Sequence, residues 1–136
     1  MAVTIDMTYE GDLECTLVHG PSGDIMKTDA PVDNQGRGAH FSPTDLLGAS
    51  LGSCILTTMG IKARDHGWDM KGATCVVSKD MGAVPRRHIS KLTVEITMPK
   101  ALDQKARTIL ERVGDACPVT ASLGPMTKIE MTFRYV

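Results

Sequence analysis

Aromatic side chains and net charge are both scarce in this sequence. Aromatic residues make up 4% of the chain, and the formal net charge is -1 at pH 7. Proteins that bind nucleic acid or acidic lipid usually carry a basic surface, and single-stranded nucleic acid is often held on stacked aromatic rings. The composition therefore argues against nucleic acid and against a membrane surface as partners.

The first thirty residues contain no basic region followed by an apolar run, so we expect no secretory signal and a cytoplasmic location. A length of 136 residues without internal repeats or linkers predicts one domain over residues 1–136. In the reducing cytoplasm, cysteines tend to be core residues, metal ligands or redox catalysts rather than structural disulfides. The chain has four of them: Cys15, Cys54, Cys75 and Cys117.

The cysteines and histidines show no spacing typical of metal ligands. No two cysteines form a CxxC pair, and the four histidines are scattered along the chain. We therefore predict no metal and no other cofactor. A Cys-His hydrolase is a conceivable use of these residue types, but the sequence contains no local motif for it.

Alternating apolar and polar side chains predict strands at both ends of the chain. Residues 3–10 have the alternation of a half-buried strand, and residues 129–135 have it again. Similar patterns predict further strands near residues 13–17, 25–28, 71–79 and 92–98. A second helix is predicted over residues 100–116, where Cys117-Pro118 ends it and a short turn follows. We predict an α+β fold with antiparallel strands and one long buried helix.

The segment Ser42-Pro43-Thr44-Asp45 predicts the start of that long helix. Ser42 is suited to the N-cap, Pro43 to the first helical position, and Asp45 to the reciprocal bond of a capping box. Residues 46–61 carry no charge, and a helix that is apolar all round is normally buried on every side. The segment is too short and too rich in Gly and Ser to indicate a membrane span.

A single chain of this size has too few other elements to cover such a helix. We therefore predict an obligate homodimer in which a second copy of the helix packs across a two-fold axis. Gly48 and Gly52 would permit the close approach of the two helices.

Cys54 and Cys117 are the candidate reactive thiols, and their positions alone leave their roles open. Cys54 lies in the middle of the apolar helix, where a small core residue and a reactive thiol are equally good interpretations. Cys117 lies where a helix breaks beside a proline, and such junctions are exposed more often than helix centres. Cys15 and Cys75 lie in predicted strands, where a core role is the simpler interpretation.

Arg37 is the only arginine before residue 64, and glycines flank it. A nearby cation favours the thiolate form of a cysteine, although a solvated loop arginine is the simpler interpretation of Arg37 by itself. Asp45 and Cys54 are nine residues apart on one helix, about 13 Å along its axis and roughly half a turn out of phase. Asp45 could therefore act only through Arg37 or at the site of a partner chain.

Two motifs in this sequence resemble those of a known family. Residues 41–54, FSPTDLLGASLGSC, resemble the helix signature of the OsmC/Ohr family, the osmotically induced and organic hydroperoxide resistance proteins. Cys117-Pro118-Val119 resembles the second motif of that family, and the order of elements is similar along essentially the whole chain.

The resemblance implies an intertwined homodimer of α+β subunits with two active sites at the interface. It implies that Cys54 is the peroxidatic cysteine and Cys117 the resolving one. It also implies an arginine and a helix-start carboxylate in the site, which match Arg37 and Asp45, although the family commonly has Glu at the latter position. An arginine placed before the helix suits the OsmC-like branch.

The expected function is that of a thiol-dependent peroxidase. The resemblance implies reduction of organic hydroperoxides, and less efficiently of hydrogen peroxide, through a Cys54 sulfenic acid and a Cys54–Cys117 disulfide. An external dithiol, lipoyl-type in part of the family, would restore the thiols, and an apolar site would favour organic peroxides. The alternatives are a non-catalytic thiol redox sensor and a dimer that binds a small apolar ligand, and sustained turnover separates the enzyme from both.

Overall fold

The computed structural model describes all 136 residues and confirms the α+β class. Six strands form two separate three-stranded sheets. The chain divides into two compact units, Met1–Leu47 and Gly48–Val136, and helix α1 (Pro43–His66) begins in the first and continues in the second.

The first unit is an antiparallel meander. Strands β1 (Ile5–Gly11), β2 (Glu14–His19) and β3 (Ile25–Asp29) pair in the order β1-β2-β3. After β3 the chain makes a 3-10 turn at Val32–Asn34 and reaches the start of α1.

Strand β1 forms where alternation predicts it, but it is not half-buried. The apolar side chains of Ile5, Met7 and Tyr9 are each more than half exposed, and the polar residues between them are exposed as well. Alternation reports which side chains share a face, but not whether anything covers that face. In the single chain β1 is the edge strand of its sheet, and the exposure of both sets of side chains shows that neither of its faces is covered.

The second unit builds a mixed sheet. Strands β4 (Thr74–Gly82) and β5 (His88–Met98) form an antiparallel hairpin, whereas β5 and β6 (Lys128–Tyr135) pair in parallel. The prediction of antiparallel strands is wrong for this pair. Helices α2 (Gln104–Asp115) and α3 (Pro118–Ser122) carry the chain back between β5 and β6, and such a crossover is what a parallel pair requires.

The central strand β5 carries the core of this unit. The four alternating apolar side chains of its second half are each at most 1% exposed: Leu92, Val94, Ile96 and Met98. Strand β6 alternates between half-buried apolar and exposed polar residues, as predicted.

Several elements differ from the prediction, among them α2, β4 and the turn after Cys117. Helix α2 begins at Gln104 rather than at residue 100, because the Asp103 carboxylate caps it by accepting from the Ala106 N–H at 2.8 Å. Strand β4 begins at Thr74 rather than at residue 71. The predicted turn after Cys117 is helix α3, because a proline at the first position starts a helix as readily as it ends the preceding one.

Helix α1 begins at Pro43 as predicted, but it buries one face rather than its whole surface. Leu51, Ile55, Met59 and Ala63 are at most 1% exposed, while Ile61 on the opposite side is 51% exposed. The prediction of burial on every side is therefore wrong for the single chain, whose core covers one face of the helix. The helix is long and apolar enough to cross a membrane, a test that core helices also pass.

Candidate active site

The start of helix α1 is fixed by the capping box that the sequence predicts. The Asp45 N–H donates to Ser42 Oγ at 3.0 Å, and the Ser42 N–H donates to Asp45 Oδ2 at 2.9 Å. These reciprocal bonds satisfy two backbone donors that the first turn of a helix leaves unpaired. The cap therefore sets where the helix starts.

Cys54 lies beside the buried face of α1, not on it. Its side chain is half-buried, and its Sγ lies 3.9 Å from Thr58 Oγ1, one turn further along the helix. The residue is thus only partly covered.

Helix α2 approaches α1 closely at Gly114. A Cβ atom at this glycine would lie 2.9 Å from Met59 Sδ and 3.3 Å from Ile55 Cγ2, both on the buried face of α1. The first distance is shorter than real Cβ contacts and the second is tighter than most, so the absence of a side chain lets the end of α2 rest on α1. The next turn of chain carries Cys117.

The orientation of α2 on the sheet is fixed from the other side by Tyr135 at the end of β6. Its hydroxyl donates to Glu111 Oε2 at 2.6 Å, and the Arg107 guanidinium lies 4.0 Å from the centre of its ring. Burial, followed by the hydrogen bond to Glu111, raises the pKa of Tyr135 well above its usual range. Arg107 also donates to the carbonyls of Leu102 and Lys100, which secures the chain that leads into α2.

Cys117 is fully buried, which corrects the expectation of an exposed junction. It is the N-cap of α3, and its Sγ accepts from the Thr120 N–H at 3.5 Å and lies 3.2 Å from Thr120 Oγ1. A thiol that caps a helix points back over the first turn, and this explains why the side chain turns inward.

The structure brings the Cys54 and Cys117 side chains within hydrogen-bonding reach of each other. Burial raises the pKa of the Cys117 thiol, but hydrogen bonds from the Thr120 side chain and backbone, from Cys54 and from the Val119 backbone outweigh it. The net effect holds the pKa of Cys117 below its ordinary value. A thiol with a lowered pKa has a larger thiolate fraction at neutral pH than an ordinary thiol, and the thiolate is the reactive form.

Cys75 and Cys15 lie in strands, as predicted. Cys75 in β4 contacts the buried face of α1, since a Cβ at Gly52 would lie 3.1 Å from its Sγ. Burial raises the pKa of the Cys75 thiol, which favours its unreactive protonated form. Cys15 in β2 is paired across the sheet with Tyr9 and Thr28 in the first unit.

Arg37 lies among carboxylates of the first unit. Its Nη2 donates to Glu14 Oε2, and its Nε lies 3.6 Å from Asp29 Oδ2. Asp29 is fully buried at the end of β3, and its Oδ2 also accepts from the Ala39 N–H at 3.1 Å. The Arg37 side chain stays 64% exposed, so it can meet a further group.

The loop around Arg37 is fixed by a glycine that no other residue could replace. A Cβ at Gly36 would lie 1.7 Å from the Ala30 carbonyl oxygen. The Gly38 N–H donates to that same oxygen at 3.2 Å. The backbone on both sides of Arg37 therefore packs directly on the chain that follows β3.

The sequence identified both thiols but missed several residues around them. Thr120 and Thr58 contact the two sulfurs, and Glu14 and Asp29 pair with Arg37. The spacing Cys117-x-x-Thr120 is the signal that could have identified one of them, because an N-cap and the third residue after it are neighbours in space.

Comparisons with known proteins match this arrangement to a family. The family model described as OsmC-like protein matches residues 36–132. The chain belongs to the OsmC-like protein family. The recognition of this family from the two cysteine motifs is thereby confirmed.

A crystal structure from Psychrobacter arcticus 273-4 is similar to this OsmC-like protein over nearly its whole length. The two share 43% sequence identity with a TM-score of 0.91, and the match covers 98% of this chain and 97% of the other. That protein is named for an osmotic stress induced and detoxification response.

More distant members of the OsmC-like fold include hydroperoxide resistance proteins. A Legionella pneumophila organic hydroperoxide resistance protein, OsmC, matches with a TM-score of 0.77 at 11% identity over 98% of this chain and 97% of that one. The Bacillus subtilis organic hydroperoxide resistance protein OhrB matches with a TM-score of 0.70 at 10% identity over 98% of both chains. At such identities the likeness shows the fold. A sequence comparison with curated proteins gives no match.

Proposed function

We propose that this OsmC-like protein is a thiol-dependent peroxidase that reduces organic hydroperoxides, and less efficiently hydrogen peroxide. The observation that carries the proposal is the pairing of Cys54 and Cys117, which lie more than sixty residues apart in sequence but within hydrogen-bonding reach in the fold. The names of the relatives add support, since they refer to detoxification and to organic hydroperoxide resistance.

In the first step the Cys54 thiolate attacks the terminal oxygen of the hydroperoxide. The O–O bond breaks, the alkoxide takes up a proton and leaves as an alcohol, and Cys54 becomes a sulfenic acid. The half-buried position of Cys54 supports this role, because the residue is not closed off from solvent as Cys117 is.

In the second step Cys117 attacks the sulfur of the Cys54 sulfenic acid. The S–O bond breaks, hydroxide leaves and is protonated to water, and a Cys54–Cys117 disulfide forms. An external dithiol then supplies two electrons and two protons through thiol–disulfide exchange and restores both thiols. The sum is hydroperoxide and dithiol converted to alcohol, water and an oxidised dithiol, with no metal or organic cofactor.

Arg37 and Asp45 are proposed to complete the site. Arg37 is the candidate cation for the Cys54 thiolate, and its support is a side chain that stays largely exposed after pairing with Glu14. Asp45 already closes the capping box of α1. We propose that its charge acts through Arg37 or at the site of a partner chain.

We further propose that the protein acts as a homodimer in the cytoplasm. The support is the exposed apolar surface of β1 and of the outer side of α1, where Ile61 is 51% exposed. Large apolar areas of this kind are typically covered in an assembly. A reducing compartment would keep the four cysteines as thiols before peroxide arrives.

The test is a peroxide consumption assay on the reduced protein. Cumene hydroperoxide, tert-butyl hydroperoxide and hydrogen peroxide are each offered with dithiothreitol, glutathione or dihydrolipoamide as reductant. We expect sustained consumption with a dithiol and none in Cys54→Ser, while Cys15→Ala serves as a matched cysteine control. One oxidation without turnover would indicate a redox sensor instead, and unchanged thiols would favour the ligand-binding dimer.

A further inference from the structure

The surroundings of Cys117 present a problem that burial alone does not solve. A fully buried thiol normally stays protonated, because the apolar interior disfavours the thiolate, and burial raises the pKa even of the half-buried Cys75. Yet the second half-reaction requires a nucleophilic sulfur at this position. Some group in contact with Cys117 must stabilise its negative charge.

Thr120 is the residue that contacts this sulfur with two groups at once. Its Oγ1 lies 3.2 Å from Cys117 Sγ, and its N–H donates to the same sulfur at 3.5 Å. Both contacts come from one residue because Cys117 is the N-cap of α3 and Thr120 is three positions further along. A hydroxyl can donate to a thiolate as well as accept from a thiol, so it serves either protonation state.

We infer that Thr120 is a catalytic residue of the resolving half-reaction, whose hydroxyl and N–H hold Cys117 as a thiolate ready to attack Cys54. The inference rests on the proposed peroxidase cycle. In it the Cys117 thiolate forms a bond to the Cys54 sulfur, hydroxide leaves with the electrons of the S–O bond, and a proton from solvent converts the hydroxide to water.

The same two bonds serve the reductive half of the cycle. When a dithiol attacks Cys54 in the disulfide, Cys117 is the leaving group, and a sulfur that is stable as a thiolate leaves faster. Thr120 therefore assists both formation and cleavage of the bond, with the Cys117 sulfur as the common reacting atom.

The effect on rate can be bounded. Loss of one hydrogen bond to a charged sulfur should lower the thiolate population at neutral pH about tenfold. The more basic thiolate that remains is about threefold more nucleophilic, because reactivity follows basicity with a coefficient of about 0.4–0.5. A variant without the hydroxyl should therefore attack about threefold more slowly at pH 7 and at least as fast as the parent at high pH.

The test isolates the attack of Cys117 from any peroxide chemistry. In a Cys15→Ala, Cys75→Ala background, one equivalent of dithiobis(nitrobenzoate) reacts with the half-buried Cys54. This releases one thionitrobenzoate and leaves the other on Cys54 as a mixed disulfide. Attack by Cys117 then releases the second thionitrobenzoate, whose absorbance gives the rate. We expect Thr120→Val to slow this release about threefold at pH 7, with the rates crossing as pH rises, and Thr120→Ser to restore the parent profile.

Ser122→Ala is the matched control, because it removes a hydroxyl from the same short helix that donates instead to the Pro118 carbonyl at 2.8 Å. It should leave the release profile unchanged. An unshifted profile in Thr120→Val, or an equal slowing at every pH, would overturn the inference. In Cys54→Ser, the thiolate absorbance near 240 nm should likewise show that Cys117 ionises at higher pH when Thr120→Val is added. Neither measurement uses peroxide. A failure to consume hydroperoxide would therefore contradict the proposed peroxidase function but not the role of Thr120.

Discussion

Cys75 and Cys117 differ both in exposure and in chemistry, since Cys75 is half-buried and Cys117 is fully buried. Cys75 contacts α1 at Gly52 among apolar neighbours, and burial raises its pKa. Cys117 is more deeply covered, yet its pKa is lowered because hydrogen bonds outweigh the burial. Hydrogen bonds therefore offset the effect of burial on the pKa of Cys117, whereas burial acts alone on the pKa of Cys75.

The largest expected effect separates the two thiols by function. Cys117→Ser should abolish sustained turnover and leave Cys54 as a sulfenic or over-oxidised species, because no second sulfur is available to resolve it. Cys75→Ala should retain turnover close to the parent rate. Intact-protein mass spectrometry after peroxide treatment measures both outcomes. Loss of turnover in Cys75→Ala with a normal Cys117→Ser would reverse the assignment.

Two glycines allow close packing against α1, Gly52 on the side of Cys75 and Gly114 on the side of Cys117. Gly52→Ala should lower the free energy of unfolding by about 1–3 kcal/mol, because the added Cβ would lie 2.9 Å from Val77 Cγ2 and 3.1 Å from Cys75 Sγ. Gly114→Ala should cost less stability, because the Met59 side chain is flexible, but it should slow the formation of the Cys54–Cys117 disulfide.

Urea unfolding and a quenched-flow assay of disulfide formation distinguish the two glycine variants. Equal slowing of disulfide formation in both would show that the Cys75 side of the helix matters for the chemistry as much as the Cys117 side. A bulky charged residue such as Lys at position 52 should abolish soluble folded protein altogether.

Arg37→Ala tests whether a positive charge favours the thiolate of Cys54, as hydrogen bonds favour that of Cys117. Arg37→Ala should move the reaction of Cys54 with iodoacetamide to higher pH and slow peroxide reduction about tenfold, since a nearby cation stabilises a thiolate. Stability should fall by about 1 kcal/mol, because the buried Asp29 keeps the Ala39 N–H but loses its cation.

Glu14→Gln is the control for Arg37, since it removes the paired carboxylate and keeps the cation. Its alkylation profile should resemble that of the parent. An unchanged profile in Arg37→Ala would return Arg37 to the role of a structural loop residue.

The smallest expected effect is on the pH dependence of stability, because the pKa values of Cys75 and Cys117 shift in opposite directions. The folded pKa of Cys75 is raised, so its contribution to stability is fully present below the ordinary value of 9.0 and is lost as pH rises through the folded value. The folded pKa of Cys117 is lowered, so its contribution is present above 9.0 and is lost as pH falls through the folded value. As pH rises from 8 to 10, the free energy of unfolding of Cys75→Ala should fall less than that of the parent. That of Cys117→Ala should fall more than that of the parent. Urea unfolding under reducing conditions measures both, and changes of the same sign would contradict the account.

The sequence predicts those parts of the fold that depend on local chemistry. The capping box of α1 and the alternation in β6 are visible because the interacting residues lie within a turn or within one strand. Family resemblance, rather than any pattern of spacing, singled out Cys54 and Cys117.

The remaining features depend on contacts that sequence spacing does not encode. Glu14 meets Arg37 from a strand 23 residues away, which no local pattern reveals. Helix α3 is only five residues long, too short for a periodic signal, so both the burial of Cys117 and its bond with Thr120 were missed. Exposure of β1 depends on what covers a face, and alternation does not report that.

The most direct measurement is peptide mass mapping of the reduced protein after treatment with one equivalent of an organic hydroperoxide. The account predicts a single intramolecular disulfide between Cys54 and Cys117, with Cys15 and Cys75 still present as thiols. A bond that includes Cys15 or Cys75, or a Cys54 that is oxidised without ever joining Cys117, would contradict it.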